Sequence, residues 1–165
     1  MKSSLTLIGM PGAGKSTVGI ILAKRLSYGF VDTDILIQTR CKKSLQQIID
    51  ASGHLELRRI EELEIMSLDL SHHVIATGGS AVYSEKAMAH LRSISTILFL
   101  KVSYAEIVRR IRNFSTRGIA KSVQQTFAEL YDERQVLYET YADETINCSG
   151  LGQDEIAEAL AALYL

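Results

Sequence analysis

The sequence has no tryptophan, one proline, two cysteines and two asparagines. The single proline, Pro11, lies near the start, so no proline-rich linker divides the chain. Cys41 and Cys148 have no CxxC spacing, which argues against a disulfide framework or a zinc site and leaves both as reduced packing residues. His54, His72, His73 and His90 lack metal-ligand spacing and read as surface residues. An excess of one charge is also missing: 18 Lys+Arg stand against 19 Asp+Glu, so no basic surplus marks a nucleic-acid or anionic-membrane binder. Long hydrophobic runs are absent, and Ile97-Leu98-Phe99-Leu100 is too short to span a bilayer. Lys2 ahead of Leu5-Thr6-Leu7-Ile8 imitates the start of a signal peptide, but Pro11, Gly12 and Lys15 cut that run short. The expectation is one cytoplasmic, monomeric domain over residues 1–165, with neither nucleic acid nor membrane as partner. An apolar content of 47% and a charged content of 22% fit an ordinary globular chain.

What is present is concentrated in Gly9-Met10-Pro11-Gly12-Ala13-Gly14-Lys15-Ser16-Thr17. This fits G-x-x-x-x-G-K-[ST], the phosphate-cradling P-loop. The motif has the flanks it needs. The β-capable run Leu5-Thr6-Leu7-Ile8 precedes it, and apolar residues at helical spacing follow from Val18 to Leu26. Strand, glycine-rich turn and helix N-terminus together make an anion site, because backbone N–H groups and the helix dipole both favour negative charge. Lys15 can reach the β- and γ-phosphates of a nucleotide, and the Ser16 hydroxyl can ligate Mg²⁺.

Strands then alternate with helices. Short strands are expected at residues 29–32, 74–77, 96–100 and 144–147. Helices are expected at 34–40, 44–49 (with Ser44 as N-cap), 55–70, 84–91, 103–112, 123–141 and 154–163. Residues 113–121 lack periodicity and read as a mobile loop. This alternation predicts an α/β fold, a parallel sheet covered by helices on both faces, with ligands at the carboxyl ends of the strands. Those ends carry the P-loop, Asp32 to Asp34, and Gly78 to Ser80.

Several P-loop classes are excluded. A GTPase needs N-K-x-D, and neither Asn113 nor Asn147 starts one. Asp50-Ala51-Ser52-Gly53 matches D-x-x-G but follows a helix, so it reads as chance. A motor ATPase needs an acid at the end of a long apolar strand, whereas the best such strand ends Leu100-Lys101. Only Phe30-Val31-Asp32-Thr33-Asp34 delivers carboxylates from an apolar strand. One acid can hold Mg²⁺ and the other can orient a substrate hydroxyl, though the same pair would also serve as a helix N-cap.

Taken together, Gly9 to Thr17, Asp32-Thr33-Asp34, Arg58-Arg59-Ile60-Glu61, Thr77-Gly78-Gly79, Arg117, Glu133-Arg134, Leu137-Tyr138-Glu139 and Ala142-Asp143 resemble the shikimate kinase family nearly end to end. The resemblance implies a three-layer P-loop fold with a five-stranded parallel sheet and a mobile lid, here residues 113–121. It implies transfer of the γ-phosphoryl group of ATP to the 3-hydroxyl of shikimate, with Mg²⁺. It implies that Gly12, Ala13, Gly14, Lys15, Ser16 and Thr17 hold the ATP phosphates and that Ser16 and Asp32 hold the metal. Asp34 would bond the reacting hydroxyl. Arg58 and Arg134 would clamp the acceptor carboxylate, with Gly78 and the Gly79 N–H beside them. Arg117 would close over the phosphates, and Arg110 would lie by the adenine.

The chain departs from the family pattern in places. Gly-Gly-Gly becomes Gly78-Gly79-Ser80, Gly-Glu-x-x-Phe-Arg becomes Gly53-His54-Leu55-Glu56-Leu57-Arg58, and the lid's Arg-Pro becomes Arg117-Gly118. Another hydroxylated acid or sugar such as gluconate is therefore an alternative acceptor, and a non-catalytic ATP-binding protein a further one. Gly118 is expected to widen the open ensemble, so that Gly118→Pro tightens nucleotide binding if the closed backbone angle suits proline.

Overall fold

The computed structural model describes residues 2–165. In chain order, β1 is Ser4–Ile8, α1 Lys15–Leu26, β2 Gly29–Asp32, α2 Thr33–Cys41, α3 Leu45–Ser52, α4 His54–Met66 and β3 His73–Ala76. A short 3₁₀ turn, Ala81–Tyr83, follows. Then come α5 Glu85–Ile94, β4 Ser95–Lys101, α6 Tyr104–Arg110, α7 Phe127–Tyr141, β5 Glu144–Asn147 and α8 Gln153–Tyr164.

The five strands are all parallel, in the order β2-β3-β1-β4-β5. All of β1 is buried, as a central strand covered on both faces must be. Leu7 pairs with Ala76 on one side and Leu98 on the other. Since β1 sits between β3 and β4, the strand order reverses beside its carboxyl end, where a doubly wound sheet opens a crevice. The P-loop leaves β1 at that point. Two buried hydroxyls near the other end satisfy each other: Thr6 and Ser95 lie 2.7 Å apart, and Ser95 also bonds the Leu91 carbonyl.

Local signals set most helix starts. Ser44 caps α3 in a capping box with Gln47, and Thr126 caps α7 in one with Glu129. The second box is why α7 begins at Phe127 and not at 123 as periodicity suggested. Helix α4 stops at Met66, four residues short of the expected end, where the Ser67 N–H turns back to the Leu63 and Glu64 carbonyls. Helix α6 ends at Arg110 because Ile111 is extended and buried. Cys148 is buried and Cys41 half-buried, and both are free thiols. Asp50 to Gly53 is the end of α3 and the turn after it, away from any strand. Among the described residues no helix is long and apolar enough to cross a membrane.

Candidate active site

The P-loop is built on backbone conformation. Gly14 is the N-cap of α1 at φ 95°, a left-handed geometry that costs glycine little, and no side chain covers the helix's first N–H groups. Lys15 is buried, and its Nζ donates to the Gly9 carbonyl at 2.7 Å and the Met10 carbonyl at 2.9 Å. Burial lowers its pKa to about 8, against the pull of Asp34 and Asp32. Arg110 Nη1 donates to the Gly12 carbonyl at 3.3 Å, while its Nη2 pairs with Glu106 at 2.5 Å.

The end of β2 and the first turn of α2 deliver the acids. Ser16 Oγ donates to Asp32 Oδ2 at 2.5 Å. The other oxygen, Asp32 Oδ1, accepts the N–H groups of Asp34 and Ile35 at 2.9 and 3.3 Å. Asp32 is therefore both the cap of α2, as one sequence reading had it, and the partner of the P-loop serine. Asp34 is left facing the cavity. Burial first, then the neighbouring Asp32 charge, pushes its pKa up to about 6.

Strand β3 brings Gly78 and Gly79 beside these groups. The Gly78 N–H donates to Thr33 Oγ1 at 3.2 Å. A Cβ on Gly78 would overlap Glu61 Oε2 and stand 2.7 Å from Asp34 Oδ1, so glycine here makes room for two carboxylates. One on Gly79 would stand 2.7 Å from Arg134 Nη1. Arg134 is 1% exposed; its Nη2 donates to the Ala120 carbonyl at 2.7 Å, and its Nε has no partner. Among the described residues neither Arg134 nor Arg117 forms an ion pair. Two guanidinium groups without carboxylate partners suit an anionic ligand.

These groups line one cavity of about 510 Å³, the size of a small-ligand site. Gly12, Gly14, Lys15, Ser16, Thr17, Arg110 and Arg117 lie on its walls, as do Asp34, Gly78, Gly79 and Arg134. Arg58, the expected second clamp, is not on them. Its guanidinium stacks 3.6 Å from the centre of the Tyr83 ring, in a neighbouring cavity of about 280 Å³. Glu61 and Ser80 line both cavities.

The sequence reading gave no role to Glu61, which is 3% exposed and accepts the Ser80 hydroxyl at 2.7 Å. Burial, then the Asp34 charge, raises its pKa to about 7. A signal for it was available. Leu57, Glu61, Glu64 and Ile65 share one face of α4, so two acids occupy a buried stripe. Leu151, Gly152 and Gln153, which also line the cavity, carried no such signal.

The condition attached to Gly118→Pro is not met in this conformation. Its φ is +73°, which proline cannot adopt, and its N–H donates to Gln46 Oε1 at 3.1 Å.

The shikimate kinase family model matches residues 11–164 of the chain. The chain belongs to the shikimate kinase family. A shikimate kinase of Paracidovorax citrulli is 39% identical over 82% of the chain and 76% of the relative. One of Thiobacillus denitrificans is 36% identical over 99% of the chain and 89% of the relative. A structure of the Aquifex aeolicus shikimate kinase superposes with a TM-score of 0.82 at 28% identity, covering 98% and 96% of the two chains. The Acinetobacter baumannii enzyme in complex with shikimate superposes with a TM-score of 0.88 at 24% identity, covering 98% and 92%, a likeness that speaks for the fold. Membership in this family makes the chain an ATP-dependent small-molecule kinase with the expected P-loop fold.

Proposed function

We propose that the protein transfers the γ-phosphoryl group of ATP to the 3-hydroxyl of shikimate, as a single cytoplasmic domain acting as a monomer. The observation that carries the acceptor class is the convergence of Asp34 and the ion-pair-free Arg134 on Gly78 and Gly79, inside the cavity that also holds the P-loop. A hydroxylated acid offers a group to each.

In this reading the P-loop N–H groups from Gly12 to Thr17 and the Lys15 ammonium hold the nucleotide phosphates. Arg110 lies by the base, and Arg134 grips the acceptor carboxylate. Asp34 accepts the proton of the acceptor hydroxyl as its oxygen bonds to the γ-phosphorus and the bond to the ADP oxygen breaks. A carboxyl raised to about 6 is better matched to that proton than an ordinary aspartate. Arg117 compensates the charge spread over the transferring group. Arg58 supports the acceptor side from its seat on Tyr83.

Ser16 Oγ and Asp32 Oδ2 fit Mg²⁺, because both are hard oxygen donors already side by side at the phosphate end of the cavity. Phosphate oxygens and water would complete the coordination, and the metal would neutralise phosphate charge. An assay of ADP release with shikimate, gluconate and a shikimate analogue lacking the carboxylate tests the proposal. Turnover with shikimate alone is expected. Equal use of the carboxylate-free analogue would remove Arg134 from its role, and preference for gluconate would change the acceptor.

A further inference from the structure

The lid places Arg117 on the cavity wall, yet the side chain is exposed and holds no ion pair among the described residues. Its backbone is held instead. The peptide that joins Arg117 to Gly118 is a rigid plane. The N–H of that plane donates to Gln46 Oε1 in the first turn of α3. Gly118 lies so close that a Cβ would overlap Leu45 Cβ and stand 2.9 Å from the Gln46 nitrogen. The Gln46 amide is oriented in turn, because its Nε2 donates to Asp50 Oδ1 at 2.8 Å. A carboxylate only accepts and a peptide N–H only donates, so turning the amide over would create two repulsions. The lid is also seated on each side of this point. Upstream, Phe114 meets Phe127 edge to face at 4.7 Å. Downstream, Ala120 is buried with Ile37, Ile48 and Leu57.

We propose that Gln46, held by Asp50, is a positioning residue that sets the orientation of Arg117 by binding the Gly118 N–H. Gln46 acts through Gly118 and Arg117, not on a reacting atom. It ties the lid to α3, whose Leu45 lines the same cavity as Arg117. The inference rests on the reading of Arg117 as the lid's transition-state cation.

The test is a double-mutant cycle on the full-length enzyme. Gln46→Met keeps the length and bulk of the side chain and removes the acceptor oxygen. It should lower kcat roughly tenfold, the size of one such bond lost in the transition state, with acceptor KM nearly unchanged. In an Arg117→Ala background the same change should have almost no further effect. The double variant Gln46→Glu/Asp50→Asn exchanges donor and acceptor in the pair, keeps an oxygen facing Gly118, and should recover most of the lost turnover. With both substrates bound, the Gly118 amide should exchange faster in Gln46→Met than in the wild type. Wild-type kcat in Gln46→Met overturns the inference, and so does an equal loss in the Arg117→Ala background. Arg117→Ala at wild-type kcat would instead overturn the role of Arg117, and with it the need for a positioning residue.

Discussion

The Ser80 hydroxyl donates to Glu61 Oε1 at 2.7 Å, and the two side chains stand between the main cavity and the seat of Arg58. The Ser80 side chain turns toward a buried carboxyl and satisfies it.

Loss of that hydroxyl should therefore cost stability in a pH-dependent way. The Glu61 pKa rises from 4.5 to about 7 on folding, so the native state keeps a proton that the unfolded chain has released. Its contribution is fully present below pH 4.5 and is lost as pH rises through about 7. The Ser80 hydroxyl favours the charged form, which prevails above about pH 7. Ser80→Ala should be destabilised by about 1–3 kcal/mol at about pH 8 and by less at about pH 5. Thermal unfolding of the two proteins at both pH values measures this, and an equal penalty at both would detach Ser80 from the Glu61 charge.

Lys15→Ala should lower kcat by ~10²-fold or more, because a buried ammonium compensates charge on the transferring group. In the wild type, kcat/KM for ATP should fall as pH rises through about 8, where the free enzyme's Lys15 gives up its proton. A pH profile flat to about pH 9 would contradict the depressed pKa.

Asp34→Asn should remove most turnover while nucleotide affinity stays near that of the wild type. The amide keeps the shape but cannot accept the hydroxyl proton. Nucleotide titration beside kcat decides the matter. Surviving turnover with collapsed nucleotide binding would move Asp34 to the metal site.

The two arginines should differ in effect. Arg134→Lys loses the planar fork inside the cavity and should raise acceptor KM strongly with little change for ATP. Arg58→Lys acts from outside the cavity wall and should raise it less. Steady-state KM values for both substrates test the order, and a larger effect at Arg58 would mean that it leaves Tyr83 for the acceptor.

Gly118→Pro should lower kcat roughly ten- to hundredfold. The substitution demands a negative φ where the chain has +73° and deletes the N–H that Gln46 accepts. A kcat at or above the wild-type value would show that catalysis uses a different lid conformation.

Features made by contiguous residues were legible in the sequence. The P-loop, the Asp32 cap that sets Asp34 in the first turn of α2, and the Ser44 cap each depend on bonds within a few residues, so residue type and spacing carried the geometry. The parallel sheet followed from the alternation of such segments. Other features needed the packed chain. Glu61 became part of the cavity because α4 turns its buried stripe toward Gly78, which lies seventeen positions away. Arg58 and Arg134 read alike as helix arginines, and only packing separates them: Arg134 is buried on the cavity wall, whereas Arg58 stacks on Tyr83 beyond it. Gly118 looked like added freedom, yet contact with Leu45 and Gln46 makes it the one residue type that fits. Local hydrogen bonding is encoded residue by residue, whereas the neighbours of a side chain across the fold are set only when distant segments pack against one another.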